Sequence, residues 1–182
     1  PSFGQHTAER FVFYWLNSGK KEVMETVNSL EELLAKVKSC ETCWNFSDTN
    51  PCPICQDKTR MKNIICVVSD PQAVPVLEGT GEYKGTYHIL RGTIDATDLD
   101  QIGNLKISEL LERLKSTEIQ EVILALNPDM AGETTMMYLE KEIKEKFPKI
   151  KTTRLARGLP TGSDIQYADE ITLGNALKHR HQ

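Results

Sequence analysis

Residues 40–55 read CETCWNFSDTNPCPIC. Two CxxC pairs, Cys40/Cys43 and Cys52/Cys55, stand eight residues apart. A CxxC turn sets two thiolates on one side of a metal ion, and a second turn on a short loop closes a tetrahedral shell about 2.3 Å from it. The surrounding segment, 39–63, has no usable hydrophobic periodicity and is rich in Cys, Pro, Asp, Asn and Thr. Such a segment cannot build a core of its own and needs a staple. The pattern predicts one structural Zn2+ held by Cys40, Cys43, Cys52 and Cys55, because four thiolates leave no open position for catalysis. A redox CxxC is the competing reading. It explains one pair rather than two, and neither pair opens a helix after a strand.

This segment divides the chain. Upstream, Thr7 is placed to cap a helix running to about Leu16, and apolar Val23, Val27, Leu30, Leu34 and Val37 fall at helical spacing between Lys20 and Lys38. The aromatics Phe11, Phe13, Tyr14 and Trp15 are expected to be core. Downstream the pattern changes to short strands alternating with helices. Strands are predicted at Ile64–Val68, Thr86–Leu90, Glu121–Leu126 and Lys151–Ala156. Helices are predicted at Pro71–Thr80, where Pro75 weakens the signal, at Ile107–Lys115 and at Gly132–Phe147. Strands alternating with helices imply βαβ units and a mainly parallel sheet. Cys66, inside IICVV, reads as a buried small hydrophobe. Residues 157–182 read as a Gly/Pro turn, a short segment at Glu170–Leu173 and a helical end at Asn175–His179.

Of 182 residues, 39% are hydrophobic and 26% charged, an ordinary globular balance. No apolar run approaches the roughly 20 residues of a membrane helix, and no basic start leads into a secretion signal. With two CxxC pairs and no secretion signal, a reducing setting is expected for these cysteines. Net charge is −4, against a generic nucleic-acid binder. The excess acid lies in 64–155, with fifteen Asp/Glu against eleven Lys/Arg, while both ends are balanced. The ends are thus the expected nucleic-acid contacts, and the middle the protein- or metal-facing part.

Two further places carry chemistry. Near the start, Ser2-Phe3-Gly4 resembles a glycine hairpin that lets helix amides approach a phosphate, with His6 and Arg10 one turn apart; an ordinary helix start explains the same residues. Past the third strand, NPDMAGE sets Asp129 and Glu133 where α/β sheets hold ligands, and Asp70 follows the first strand. These carboxylates suit Mg2+, or simply a polar loop with acids favouring a helix dipole.

Taken together, PSFGQHTAERF, CETCWNF…CPIC, ICVVSDP, NPDMAGE and LARGLPTGSDIQYADEITLGNAL resemble RecR, a family of bacterial recombination mediators, in order and over essentially the whole chain. The resemblance implies an α/β protein in four parts: a helix-hairpin-helix-like region at 1–38, a four-cysteine zinc finger at 39–63, a Toprim domain at 64–156 and a C-terminal tail at 157–182. It implies a non-enzymatic, cytoplasmic, nucleoid-associated DNA clamp in recombinational repair. Such a clamp is a homo-tetrameric ring acting with RecO and RecF to load recombinase at gaps, with no membrane role. Single- and double-stranded DNA would be gripped without regard to sequence, by His6, Arg10 and the finger cations Lys58 and Arg60. The family's hairpin usually reads Leu-Pro-Gly-Val-Gly followed by Lys; here Ser2 and His6 occupy the first Gly and the Lys positions. The sequence begins inside that motif, without the preceding helix expected in the family. Catalytic Toprim enzymes carry a Glu where Ser69 stands and an Asp where Asn127 stands, and Ala131 occupies a position where the family often has Glu. Asp129 and Glu133 remain, with Asp70, as a divalent-metal site or a partner surface; with the other carboxylates missing, phosphoryl transfer is not expected, and the domain is read as an assembly and partner surface. The alternatives are a Mg-dependent Toprim nuclease or primase-like enzyme, and a zinc-stapled protein-interaction module without a DNA role.

Overall fold

Period-two alternation on short, β-branched strands builds the centre of the molecule. The computed structural model describes residues 3–95, 97 and 99–180. Its main sheet has four strands, β3 Ile64–Val68, β4 Thr86–Ile89, β5 Glu121–Leu124 and β6 Lys151–Arg154. They are all parallel and lie in the order β4-β3-β5-β6. Cys66 pairs with Tyr87 on one side and Ile123 on the other. Parallel neighbours need crossovers. These contain α4 Ala73–Gly79, α5 Ile107–Arg113 and α6 Met130–Lys146. Pro75 is tolerated because it sits in the first turn of α4, whose amides have no helical partner.

The two faces of the sheet are covered differently. Ile65, Val67, Val122 and Leu124 pack against Leu110 and Leu114 from the α5 side and Met136, Leu139 and Ile143 of α6. On the opposite face Cys66, Val68, Tyr87 and Ile89 meet Val74 of α4 and the four finger cysteines. The finger is therefore part of the sheet's covering. It is built from a two-residue antiparallel pair, β1 Lys38–Ser39 and β2 Phe46–Ser47, and the single turn α3 Pro53–Gln56. It also answers an edge. The Ile89 amide of outer strand β4 donates to the Cys43 carbonyl at 2.9 Å, and Arg113 donates to the Tyr87 carbonyl at 2.6 Å. An open strand edge is a template for unwanted pairing, and these contacts remove it. The other edge, β6, carries Lys151 and Arg154, charges that discourage such pairing.

Upstream, α1 Gln5–Ser18 and α2 Lys20–Lys36 are separated by Gly19 alone, at φ +81, a conformation that favours glycine. Here the aromatic expectation fails. Phe13 is 64% exposed, Tyr14 54% and Phe11 42%, and among the described residues neither helix buries a side chain. The two helices pack on each other. The rings meet along α1 and just ahead of it, Phe3 with Phe11 at 5.2 Å and Phe11 with Trp15 at 5.6 Å, and stay exposed. The cap of α1 is Gly4, not Thr7. At the other end a single helix, α7 Glu170–Lys178, replaces the two short pieces expected there. Asp169 starts it by accepting from the Thr172 amide at 2.9 Å, and Gly174 does not break it.

His88 is fully buried on β4, its Nε2 2.7 Å from the Lys106 carbonyl. Burial pushes its pKa down to about 4, so the folded ring is neutral. Unfolded, it titrates near about 6.5. Between these values the unfolded chain binds more protons, so this stability is present above pH 6.5 and is lost as pH falls towards 4. Denaturant titrations at pH 7 and pH 5 should show a stability loss smaller by about 2 kcal/mol in His88→Leu than in the parent. Equal losses would show that His88 does not titrate this way.

Candidate metal centre and neighbouring sites

The Cys43 and Cys52 sulfurs lie 3.5 Å apart, and all four finger sulfurs lie within 4.8 Å of one another. Tetrahedral sulfurs about 2.3 Å from a zinc stand roughly 3.8 Å apart, so the donor set fits that ion. None of the cysteines is in a disulfide, and all four are buried. Local backbone makes the cluster. The Trp44 amide donates to the Cys40 carbonyl at 2.8 Å, closing the first CxxC turn, and Gln56 donates to Cys52 at 3.0 Å, closing the second. The Cys52 amide points at the Cys40 sulfur at 3.3 Å. Burial raises the Cys40 thiol, but the amides of Cys52, Cys43 and Thr42 outweigh it and bring the group down to about 7. Its neighbours move the other way. Contact with Cys55, then burial, pushes Cys43 up, and burial raises Cys52 to about 11. Four thiolates crowded into an apolar pocket repel one another, and a divalent cation is what makes the arrangement favourable. Lys62 adds a positive charge nearby, its Nζ 3.2 Å from the Cys55 carbonyl. Cys66, which lies outside the cluster, is buried as its setting in IICVV implies, and burial raises it to about 12.

The acidic residues singled out downstream do not gather. Among the described residues the four cysteines are the only cluster of three or more His, Cys, Asp or Glu side chains near enough to share an ion. Asp129 is the N-cap of α6, its Oδ1 accepting from the Gly132 amide at 2.7 Å, and this starts the helix two residues earlier than periodicity suggests. Glu133 is held between two arginines, Arg154 at 3.0 Å and Arg157. Arg154 also grips Glu140 at 2.6 Å. Asp70 accepts from the Gln72 amide at 2.8 Å in the loop after β3. Sequence reading missed Arg154 and Arg157. Their only signal was a three-residue spacing at a strand end, common at any surface.

The cations expected to meet DNA divide as well. His6 is 99% exposed, and its Nδ1 is 3.8 Å from Glu9. Arg10 is exposed and lines a cavity of about 440 Å3 with Thr7, Phe11 and Tyr14. Lys58 is exposed on the finger. Arg60 points inward, bound to Glu78 and, at 3.1 Å, to the Gly85 carbonyl. Ser2 lies outside the described residues.

A parallel sheet whose second face is closed by a four-cysteine finger defines a zinc-stapled α/β protein. Comparison with known families agrees: the Toprim domain matches residues 63–156, the four-cysteine zinc finger domain of RecR matches 37–57 and the C-terminal family of RecR matches 158–181. The chain is 45% identical to Recombination protein RecR of Bifidobacterium adolescentis, over 99% of this chain and 89% of that one. It is 42% identical to the protein of that name from Bifidobacterium longum subsp. infantis and 39% identical to that of Rubrobacter xylanophilus, each over 100% of this chain and 90% of the relative. The chain belongs to the RecR family, and its cofactor is one structural zinc ion. No helix among the described residues is long and apolar enough to cross a membrane.

Proposed function

We propose that this chain is a non-enzymatic DNA clamp in recombinational repair, a homo-tetrameric ring that acts with RecO and RecF to load recombinase at gaps. Its zinc ligands are Cys40, Cys43, Cys52 and Cys55. The observation that carries the reading against catalysis is the pairing of Glu133 with Arg154 and Arg157. A carboxylate neutralised by two guanidiniums is a poor Mg2+ ligand, and metal-assisted phosphoryl transfer needs several free ones. The segments after β3 and β5 that carry Asp70, Asp129 and Glu133 serve instead as a partner surface.

DNA is gripped through phosphates by Arg10, His6 and Lys58. With its guanidinium turned towards Glu78, Arg60 steadies the finger rather than the DNA. Binding of this kind is sequence-blind and falls steeply with salt, and a ring multiplies weak contacts by avidity. Arg10→Ala should weaken binding to every sequence alike and reduce the salt slope by about 1, measured by fluorescence anisotropy across a salt series. A loss confined to one sequence would refute the clamp. Turnover of nicked or single-stranded DNA with Mg2+ or Mn2+, abolished by Asp129→Ala, would favour a Toprim nuclease or primase-like enzyme. Absence of any DNA binding would leave a zinc-stapled protein-interaction module.

A further inference from the structure

A cavity of about 580 Å3 opens along the seam between the finger and the sheet, at the carboxyl ends of β3 and β4. Open parallel sheets take ligands at such ends. Trp44 and Phe46 from the finger and Arg91 and Lys106 from the Toprim domain line it, with Asp70 at its rim. Each cation lies over a ring. The Arg91 Cζ is 3.6 Å from the Phe46 centroid, and the Lys106 Nζ is 4.0 Å from that of Trp44. The half-buried Arg91 donates to the Trp44 carbonyl at 2.8 Å and to the Ser39 hydroxyl at 3.0 Å. Among the described residues no carboxylate pairs with it. Lys106 is paired, at 2.8 Å, with Glu109. Both Arg91 and Trp44 sit at positive φ, +66 and +65, backbone that side chains rarely adopt and that the contacts across the seam hold in place.

The chemistry of this lining selects its ligand. An inorganic anion would answer Arg91 and leave the rings unused. An apolar molecule would cover the rings and leave Arg91 without a counter-charge. A planar ring joined to a phosphate answers both, and grooves for single-stranded nucleic acid combine these features: cations tracking the backbone and aromatics on which bases stack. A duplex keeps its bases stacked inside and has no free base to offer. Resting on the DNA-binding reading above, we propose that this seam holds a nucleotide of single-stranded nucleic acid, its base against Phe46 and Trp44 and its phosphate against Arg91 and Lys106. The site would be separate from the Arg10 surface on α1 and would let the protein distinguish single strands from duplex.

Trp44 reports on its own site. The chain has two tryptophans, so Trp15→Phe leaves Trp44 as the single emitter. The whole chain in this background would be titrated with an oligothymidylate and with a duplex of equal length. Quenching of Trp44 by the single strand but not the duplex is expected. Phe46 is 55% exposed, so Phe46→Ala should fold as the parent does, with an unchanged thermal midpoint as the check. It should weaken single-strand binding about tenfold and leave duplex binding alone. Asp70→Asn, which removes the rim's negative charge, should tighten single-strand binding. Duplex and single strand both bound through Arg10, with Trp44 silent and Phe46→Ala without effect, would overturn the seam and leave the clamp standing. Failure of both to bind would overturn the clamp reading and the seam with it. Quenching by polyglutamate but not by oligothymidylate would reassign the cavity to an acidic protein segment and overturn the nucleotide.

Discussion

Removing zinc from the folded protein, by a strong chelator under reducing conditions, is expected to lower its thermal midpoint by about 10 °C or more, and Cys43→Ser should do the same without chelator. The reason lies in what the cysteines touch. They pack in one cluster with Val68, Val74, Tyr87 and Ile89, so loosening the finger uncovers one face of the sheet. It also frees the Ile89 amide on the edge strand, which donates to the Cys43 carbonyl. Structural zinc binds finger peptides with apparent free energies of roughly 10–16 kcal/mol near neutral pH, far above the about 1 kcal/mol of a typical hydrogen bond. In a chain of this size each 1 kcal/mol moves the midpoint by about 2–4 °C, so losing even 4 kcal/mol is enough. Calorimetry of native and chelated protein measures it. An unchanged midpoint in demonstrably zinc-free protein would mean that the finger contributes nothing to the sheet's stability.

Gly132→Ala should be the most damaging single-methyl change at the Toprim loop, costing about 2–4 kcal/mol. A Cβ there would stand 2.0 Å from the Asn127 carbonyl oxygen, a backbone atom that cannot rotate aside. The loop between β5 and α6 must move instead. That disturbs the Asp129 cap on the Gly132 amide and the Glu133 clamp one residue further on. Gly174→Ala in α7 is the matched control. Its Cβ meets nothing within 4 Å, so the helix should gain up to about 1 kcal/mol. Urea midpoints of the two variants should therefore move in opposite directions. A Gly132→Ala midpoint equal to the parent's would show that the loop relaxes freely.

Much of this protein can be read from local pattern. The spacing of Cys40, Cys43, Cys52 and Cys55 encodes a metal shell because ligand geometry acts over a few residues of chain. The parallel sheet follows from IICVV and EVILAL alternating with helical segments, since each strand's two faces are written in its own residues. Strand ends were overrun, to Leu126 and Ala156 instead of Leu124 and Arg154. Apolar character continues past the last ladder hydrogen bond, and only neighbours decide where pairing stops.

Other features depend on partners distant in the chain, and no window of sequence contains them. The aromatic run at Phe11–Trp15 has the composition of a core, yet it lies open on α1, which buries none of its side chains. The finger reads as a separate module, whereas folding seats its cysteines on β4, well downstream of the last of them. Arg60 reads as a surface cation until Glu78 faces it. Asp129 and Glu133 read equally as metal ligands or as acids at a helix start until the fold turns one to the Gly132 amide and the other to Arg154 and Arg157. Residue types and spacings along the chain thus determined the zinc shell and the α/β class. The charge and exposure of each candidate residue were decided by the tertiary structure, because they depend on which distant groups the fold brings within a few ångströms.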